Sequence, residues 1–258
     1  MKNKIAVISD IHSNADALTK ILDELNKEKA DTTIFLGDIL TYGCQPLEVL
    51  DMLVEYKRKN SIIFIKGNHD QFYFDLQSNS KNTSYKLPFF IEESVTWTLK
   101  KISPYLLKDT FEWHNSYRIG DIYFSHANPF SYGDWSYIEK PENLHKSFLE
   151  LLKKDVFAGI FGHTHRQLFI GNKNNILNKM DSYSAELDKI DQLIINSGTV
   201  GQPRGSGVGY TLLVLKNDKL HNANFKKINM DFGNSIELIQ KTEFSKETKK
   251  KLIDFLET

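Results

Sequence analysis

Five of the eight histidines stand in short polar motifs, and each motif closes a run of apolar residues. In chain order these are Asp10-Ile11-His12, Gly37-Asp38, Gly67-Asn68-His69-Asp70, Ser125-His126 and Gly162-His163-Thr164-His165. Imidazole nitrogens and carboxylate oxygens are donors that manganese, iron, zinc, cobalt or nickel accepts, and the lack of thiolates argues against a structural zinc or an iron–sulfur site. For a lone histidine the ordinary reading is a hydrogen-bonded structural role, and that reading is kept for His114, His145 and His221.

The elements around these motifs alternate. Lys4 to Ser9 reads as a buried strand and Ala15 to Lys29 as a helix with Ala17, Leu18, Ile21, Leu22 and Leu25 on one face. Thr32 to Leu36 is a second strand, Pro46 opens a second helix, and Ser61 to Ile65 is a third strand. Such an order implies parallel strands with right-handed crossovers, and ligands then bind where the carboxyl ends of the strands meet the loops. The polar motifs sit at those ends, so they converge on one edge of one sheet.

Gln71 to Asp109 reads as a helical excursion laid over the sheet. It starts with Phe72, Tyr73 and Phe74, crosses a polar stretch from Gln77 to Lys86, and regains helical periodicity from Glu92 to Leu107. Later strands are expected at Glu112 to Ile119, Asp121 to Ser125, Val156 to Phe161, Gln167 to Gly171, Leu193 to Ser197, Tyr210 to Leu215 and Leu220 to Ile228, with a helix at Glu142 to Lys154. Asn172 to Asp191 is polar and is expected to be a surface insertion of irregular or short helical structure. A helix from Lys246 to Leu256 closes a single domain spanning 1–258.

Lys and Arg number 33 against 33 Asp and Glu, so the formal net charge is zero. A surface that binds long nucleic acid or an anionic membrane needs a basic excess, and neither partner is expected. No apolar run reaches the roughly 20 residues that span a bilayer, and the start lacks a signal-peptide pattern, so the cytoplasm is the expected compartment. Cys44 is the single cysteine and is read as an inert thiol. Only four residues are Arg (Arg58, Arg118, Arg166 and Arg204), which makes an Arg beside a motif informative.

The ordered set D-x-H, G-D, G-N-H-D, a lone H and G-H-x-H resembles the calcineurin-like metallophosphoesterases. Asn196 to Arg204 (N-S-G-T-V-G-Q-P-R) and the aliphatic strand after it are similar to the C-terminal part of the compact bacterial and archaeal phosphodiesterase-like members. The resemblance implies a two-sheet β-sandwich flanked by helices in four α/β/β/α layers, with a dinuclear metal centre. It implies one ion on Asp10, His12, Asp38 and His165, and another on Asp38, Asn68, His126 and His163, with Asp38 bridging. The cofactor is two divalent ions per chain, manganese first and Fe, Zn, Ni or Co as alternatives, sharing a hydroxide that attacks phosphorus. In the family the residue at His69 stabilises the transition state or protonates the leaving oxygen. Two such ions outweigh Asp10, Asp38 and the hydroxide by about one charge, enough to draw in a phosphoester despite a neutral surface.

One departure narrows the substrate. The family's protein phosphatases carry G-D-x-x-D-R-G, whereas Gly37 to Gly43 reads G-D-I-L-T-Y-G, so the Asp that orients the catalytic His and the Arg that grips phosphate are both missing. A small phosphodiester or phosphomonoester is the expected substrate, ahead of the pyrophosphate link of a dinucleoside polyphosphate. A non-catalytic scaffold, as in the retromer subunit that resembles these enzymes, is the reading from another class. Arg204, in the Gly-rich loop from Gly198 to Gly209, is the candidate substrate-binding cation, with a surface role equally open; Arg166 is expected to point away. Homo-oligomerisation is left open, and specificity is expected in the excursion and the loop from Phe130 to Trp135.

Overall fold

The computed structural model describes residues 2–78, 86–205 and 207–257. It begins with β1 (Lys2–Ile8), α1 (Ala15–Glu28), β2 (Thr32–Phe35), α2 (Pro46–Lys59) and β3 (Ile62–Ile65), close to the expected boundaries. Asn14 caps α1 by accepting a hydrogen bond from the Ala17 N–H at 3.0 Å, and Ala17, Leu18, Ile21 and Leu25 form its buried stripe. Pro46 occupies the first turn of α2, where its missing N–H costs nothing.

The excursion is helical: α3 (Asn68–Gln77), α4 (Phe89–Lys101) and the short α5 (Leu107–Thr110). Residues 79–85 of its polar stretch lie outside the described residues. There follow β4 (Trp113–His114), β5 (Ser116–Ile119), β6 (Ile122–Ser125), α6 (Pro141–Lys153), β7 (Ala158–Phe161), β8 (Gln167–Lys173), β9 (Ile176–Met180), β10 (Ser182–Ser184), β11 (Gln192–Ser197), β12 (Val208–Lys216), β13 (Lys219–Ile228), α7 (Gly233–Lys241) and α8 (Lys246–Glu257). Among the described residues no helix is long and apolar enough to cross a membrane.

Two mixed sheets result, ordered β10-β13-β12-β1-β2-β3-β4 and β5-β6-β7-β11-β8-β9. Strand alternation divides the core into layers. Ile5, Val7, Ile34 and Ile65 of the first sheet meet Ile122, Phe124, Ile160 and Ile195 of the second, while Ala6, Ile8, Phe35 and Phe64 face outward under Leu18, Ile21, Leu50 and Leu53 of α1 and α2. On the far side Phe161 and Ile194 pack under Leu144, Phe148 and Leu151 of α6. The expected α/β/β/α sandwich is therefore present, and strands buried on both faces explain the continuous apolar runs in β1 and β7.

Two expectations change. Glu112 to Ile119 is not one strand: β4 pairs in parallel with β3 in the first sheet, and β5 pairs with β6 in the second, so the chain changes sheets at Asn115. Asn172 to Asp191 is not irregular either. Asn174 and Asn175, both at positive φ (51° and 64°), make a two-residue hairpin turn into β9, and β10 then adds to β13 at the edge of the other sheet. Its polarity reflects edge strands facing water, which hides the period of two. The sequence reading also missed α7, a short helix whose buried contact is Ile239.

The loops after β2 and β3 interlock backbone to backbone. Gly37 sits at φ +106°, and a Cβ there would lie 2.3 Å from the Gly67 nitrogen. Gly37→Ala is expected to cost about 3 kcal/mol or more in denaturant unfolding of the metal-free protein, because left-handed strain adds to a clash that no side chain can relieve.

Candidate metal centre

The polar motifs meet at the carboxyl ends of β1, β2, β3, β6 and β7, and they form two groups. Asp10, His12 and His165 have ligand atoms within 4.8 Å of one another, as do Asp38, His126 and His163. Asn68 joins the second group through its Oδ1, 3.1 Å from His126 Nε2. Asp38 lies by distance with the second group, 3.3 Å from His126 Nε2, while its backbone oxygen accepts from the His12 N–H.

Hydrogen accounting shows what the clusters fit. His12 Nδ1 meets Leu40 O at 3.0 Å, His165 Nδ1 meets Gln202 O at 2.8 Å, His126 Nδ1 meets Leu36 O at 2.8 Å, and His163 Nε2 meets Trp135 O at 2.9 Å. A carbonyl only accepts, so each of these outer nitrogens carries the hydrogen. With the rings neutral, as metal ligation requires, the inner nitrogens offer lone pairs to a common point: His12 and His165 hold them 3.1 Å apart and His126 and His163 hold them 3.2 Å apart. Asp10 Oδ1 is buried beside them with no hydrogen-bond donor, 3.3 Å from His165 Nε2. Lone pairs and a carboxylate converging in this way repel one another until a cation sits between them, and the backbone carbonyl behind each ring is the usual second layer of a metal site.

The backbone is strained for this purpose. Asp10, His12, Asp38, His163 and His165 all adopt positive φ, between 47° and 67°. Each such residue costs on the order of 1 kcal/mol, and clusters of them mark functional sites.

The charges are strongly coupled. Burial alone would raise Asp10, but the imidazoles of His165 and His126 beside it hold its carboxyl below the usual carboxylate range. Burial lowers His163 to about 4 and holds His12 well below its ordinary value. Burial acts the same way on His126, yet the Asp38 and Asp10 carboxylates outweigh it and lift this imidazole to about 9. A proton on His126 thus stands in for the cation in the metal-free chain.

His69 lies at the first turn of α3. Its N–H donates to Asp38 Oδ1 at 2.8 Å, its Nδ1 is buried without a hydrogen-bond partner, and burial lowers the ring to about 4. Tyr42, which the sequence reading left unassigned, brings its Oη to 3.2 Å from His69 Nε2. Arg204 is half-buried at φ 40°, its Nε donates to Gln202 Oε1 at 2.9 Å, and its guanidinium lies 4.9 Å from the centre of the Phe255 ring. Its charge is felt at both Tyr42 and His69, so the loop does approach the site. Arg166 points outward to Glu139. His114 and His221 pair with Glu112 and Glu186 away from the clusters. Cys44 is free, with burial pushing its thiol up to about 12.

Asp70 is the organising residue the sequence reading missed. Its fully buried carboxylate accepts from three backbone N–H groups: Gly67 (2.9 Å) and Asp38 (2.7 Å) to Oδ2, and Ile39 (3.1 Å) to Oδ1. It ties the turn that carries Asp38 to the turn that carries Asn68 and His69. An Asp at the third helical position behind a Gly N-cap is the local signal for such a role.

Asp70→Ala leaves three buried donors without an acceptor and is expected to cost about 3–5 kcal/mol in chemical denaturation. It should also weaken metal affinity roughly 10- to 100-fold by calorimetry. Metal needs neutral His126, which is protonated at pH 7.5 when metal-free. Titration with Mn or Zn should therefore release about one proton from this group, with affinity rising roughly tenfold per pH unit from 7 toward 9 and levelling above.

The calcineurin-like phosphoesterase family model matches residues 3–167. Over 249 residues the chain is 28% identical to an uncharacterized protein of Methanocaldococcus jannaschii, covering 93% of both. Among solved structures, a metallophosphoesterase from Sphaerobacter thermophilus aligns with a TM-score of 0.73 at 21% identity, over 99% of this chain and 100% of that one. A hypothetical protein from Pyrococcus horikoshii OT3 gives the same TM-score at 16% identity, over 96% and 97%. At those identities the structural likeness speaks to the α/β sandwich alone. The matched span contains Asp10, His12, Asp38, Asn68, His69, His126, His163 and His165. A sandwich of this shape, with the family's ordered ligand motifs at its strand ends, makes this chain a member of the calcineurin-like phosphoesterase family.

Proposed function

We propose that the chain hydrolyses a small phosphodiester or phosphomonoester and does so with two divalent ions, manganese first among Mn, Fe, Zn, Ni and Co. The observation that carries this reading is the pair of clusters of inward-turned imidazoles, each completed by a buried carboxylate, one of which, Asp10, has an oxygen with no hydrogen-bond donor. When bound, the ions would acidify a shared water and offset negative charge on the phosphoryl oxygens.

The chain's own residues divide the remaining work. Asp10, His12 and His165 would hold one ion, and Asn68, His126 and His163 the other, with Asp38 reaching both. The His69 N–H bond to Asp38 Oδ1 fixes that carboxylate and leaves Oδ2 facing His126. His69 would donate hydrogen to an oxygen of the substrate, and Arg204 would add positive charge on the side of Tyr42. Tyr137, stacked on His163 with centroids 4.7 Å apart, and Trp135, whose carbonyl accepts from the same ring, form an aromatic rim for the rest of the substrate. A substrate recognised inside such a cleft needs no basic surface, which agrees with the neutral total and with a cytoplasmic small-molecule esterase.

Hydrolysis of bis-p-nitrophenyl phosphate and p-nitrophenyl phosphate with Mn, Ni or Zn is the direct test. Asp38→Asn should lower kcat at least a thousandfold and His69→Ala about a hundred- to ten-thousandfold, with two ions bound per wild-type chain. Activity that survives Asp38→Asn overturns the two-ion reading. Failure to bind metal at saturation favours the scaffold, and preference for a dinucleoside polyphosphate over both esters favours the pyrophosphate link.

A further inference from the structure

The four arginines are spent unequally. Arg58 pairs with Glu55, Arg166 pairs with Glu139, and Arg118 donates from Nε, Nη1 and Nη2 to the carbonyls of Gly120, Lys154 and Asp155. Arg204 gives its Nε hydrogen to Gln202 Oε1, and among the described residues no carboxylate pairs with it. A half-buried guanidinium without a counter-charge keeps its charge for an anion from outside. Its address is set by Gln202, whose main-chain oxygen accepts from His165 Nδ1 at 2.8 Å. Arg204 therefore stands two residues from the brace of a candidate ligand ring.

A second support for the guanidinium comes from α8. That helix is fixed at its start by Ser245, whose Oγ accepts from the Thr248 N–H at 3.2 Å while its own N–H and hydroxyl donate to the Glu93 carboxylate of α4, both at 2.9 Å. Leu252, 1% exposed, seats the middle of the helix in one cluster with Tyr42, Ile239 and Phe244. The last turn then delivers Phe255, with Arg204 lying over its ring 4.9 Å from the centroid. The same ring is 6.0 Å, centroid to centroid, from Tyr42 and from Phe90, and Tyr42 lies 4.6 Å from His12 and 4.9 Å from His69. One aromatic residue thus separates Phe255 from the clusters. A guanidinium held over a π face spends no hydrogen on that contact, so its N–H groups stay available.

We propose that Phe255 is a positioning residue: it holds the Arg204 guanidinium at the cleft for a phosphoryl oxygen of the substrate, which makes the last turn of α8 part of the substrate-binding apparatus. The proposal rests on the phosphoesterase reading for the identity of the anion, while the brace follows from this chain's own contacts. Both residues lie beyond residues 3–167, the span the family model matches, so the C-terminal part of the chain adds this arm to the metal scaffold.

The test uses Phe255→Leu and Phe255→Met, which keep apolar bulk and remove the π face, and Phe255→Tyr, which keeps the face. In metal-loaded protein the dissociation constant of inorganic phosphate, read by calorimetry, should rise roughly 10- to 100-fold in Arg204→Gln. It should rise roughly 3- to 30-fold in Phe255→Leu and Phe255→Met and stay within about twofold of wild type in Phe255→Tyr, with metal content unchanged in all. Adding Phe255→Leu to Arg204→Gln should weaken binding no further, because the ring then has nothing to position. In metal-free protein with 15N-labelled arginine, the Arg204 Nε–H signal, assigned by its loss in Arg204→Gln, should shift in Phe255→Leu and hold in Phe255→Tyr. Unchanged phosphate binding in Phe255→Leu, an unmoved Arg204 signal, or equal weakening with and without Arg204 overturns the inference. So does a metal-loaded wild type that binds no phosphate. A wild type that binds phosphate yet hydrolyses no ester overturns the phosphoesterase reading instead, and the phosphate constants still decide the brace.

Discussion

Imidazole nitrogens turned toward one another and held about 3 Å apart are the constraint on which the rest of this structure depends. His12 faces His165 and His126 faces His163, and no rotation relieves them because each ring is pinned from behind by a main-chain carbonyl. Those carbonyls come from Leu36 and Leu40 in the loop after β2, Trp135 in the loop after β6 and Gln202 in the loop after β11, so the convergence is held by the whole sandwich. Rigid elements supply that precision: ligands at strand ends inherit the stiffness of a packed sheet.

The loops carry a second cost. Turning side chains back over the strand ends puts five ligand residues in left-handed backbone, and two further loop residues, Thr41 and Tyr42, share that strain. Asp70 compensates locally, since one carboxylate accepting three N–H groups is worth more than any one of the turns it joins. Burial, with the Asp38 charge beside it, pushes this carboxyl up to about 7.

Much of this was legible in the sequence, and the reasons are physical. Apolar runs ending in Asp, Asn or His at five points require a sheet with ligands at one edge, and the parallel order of β1, β2 and β3 follows from the intervening helices. Asp10, His12, Asp38, His126, His163 and His165 could be named because their residue types are unusual at buried turns. Asp70 was overlooked because its part is played through the main chain of other loops, and Tyr42 because an aromatic residue in a loop looks like packing. The hairpin at Asn174 and Asn175 was misread since exposed edge strands lose the alternation that marks half-buried ones. Where α7 and α8 lie, against Tyr42, Phe90 and Trp97, depends on contacts far apart in the chain that local periodicity does not encode.

Each ligand group draws on both sheets. Asp10 and His12 follow β1 of the first sheet while His165 follows β7 of the second; Asp38 follows β2 while His126 and His163 follow β6 and β7. An ion in either group would therefore act as a rivet between the two halves of the sandwich. With the ions in place, sliding of one sheet over the other would be blocked at this edge and resisted elsewhere only by apolar contact, which is non-directional. Catalytic readiness and the mutual alignment of the sheets would then be one property, and the end of the sandwich opposite the ions would be the end free to loosen first.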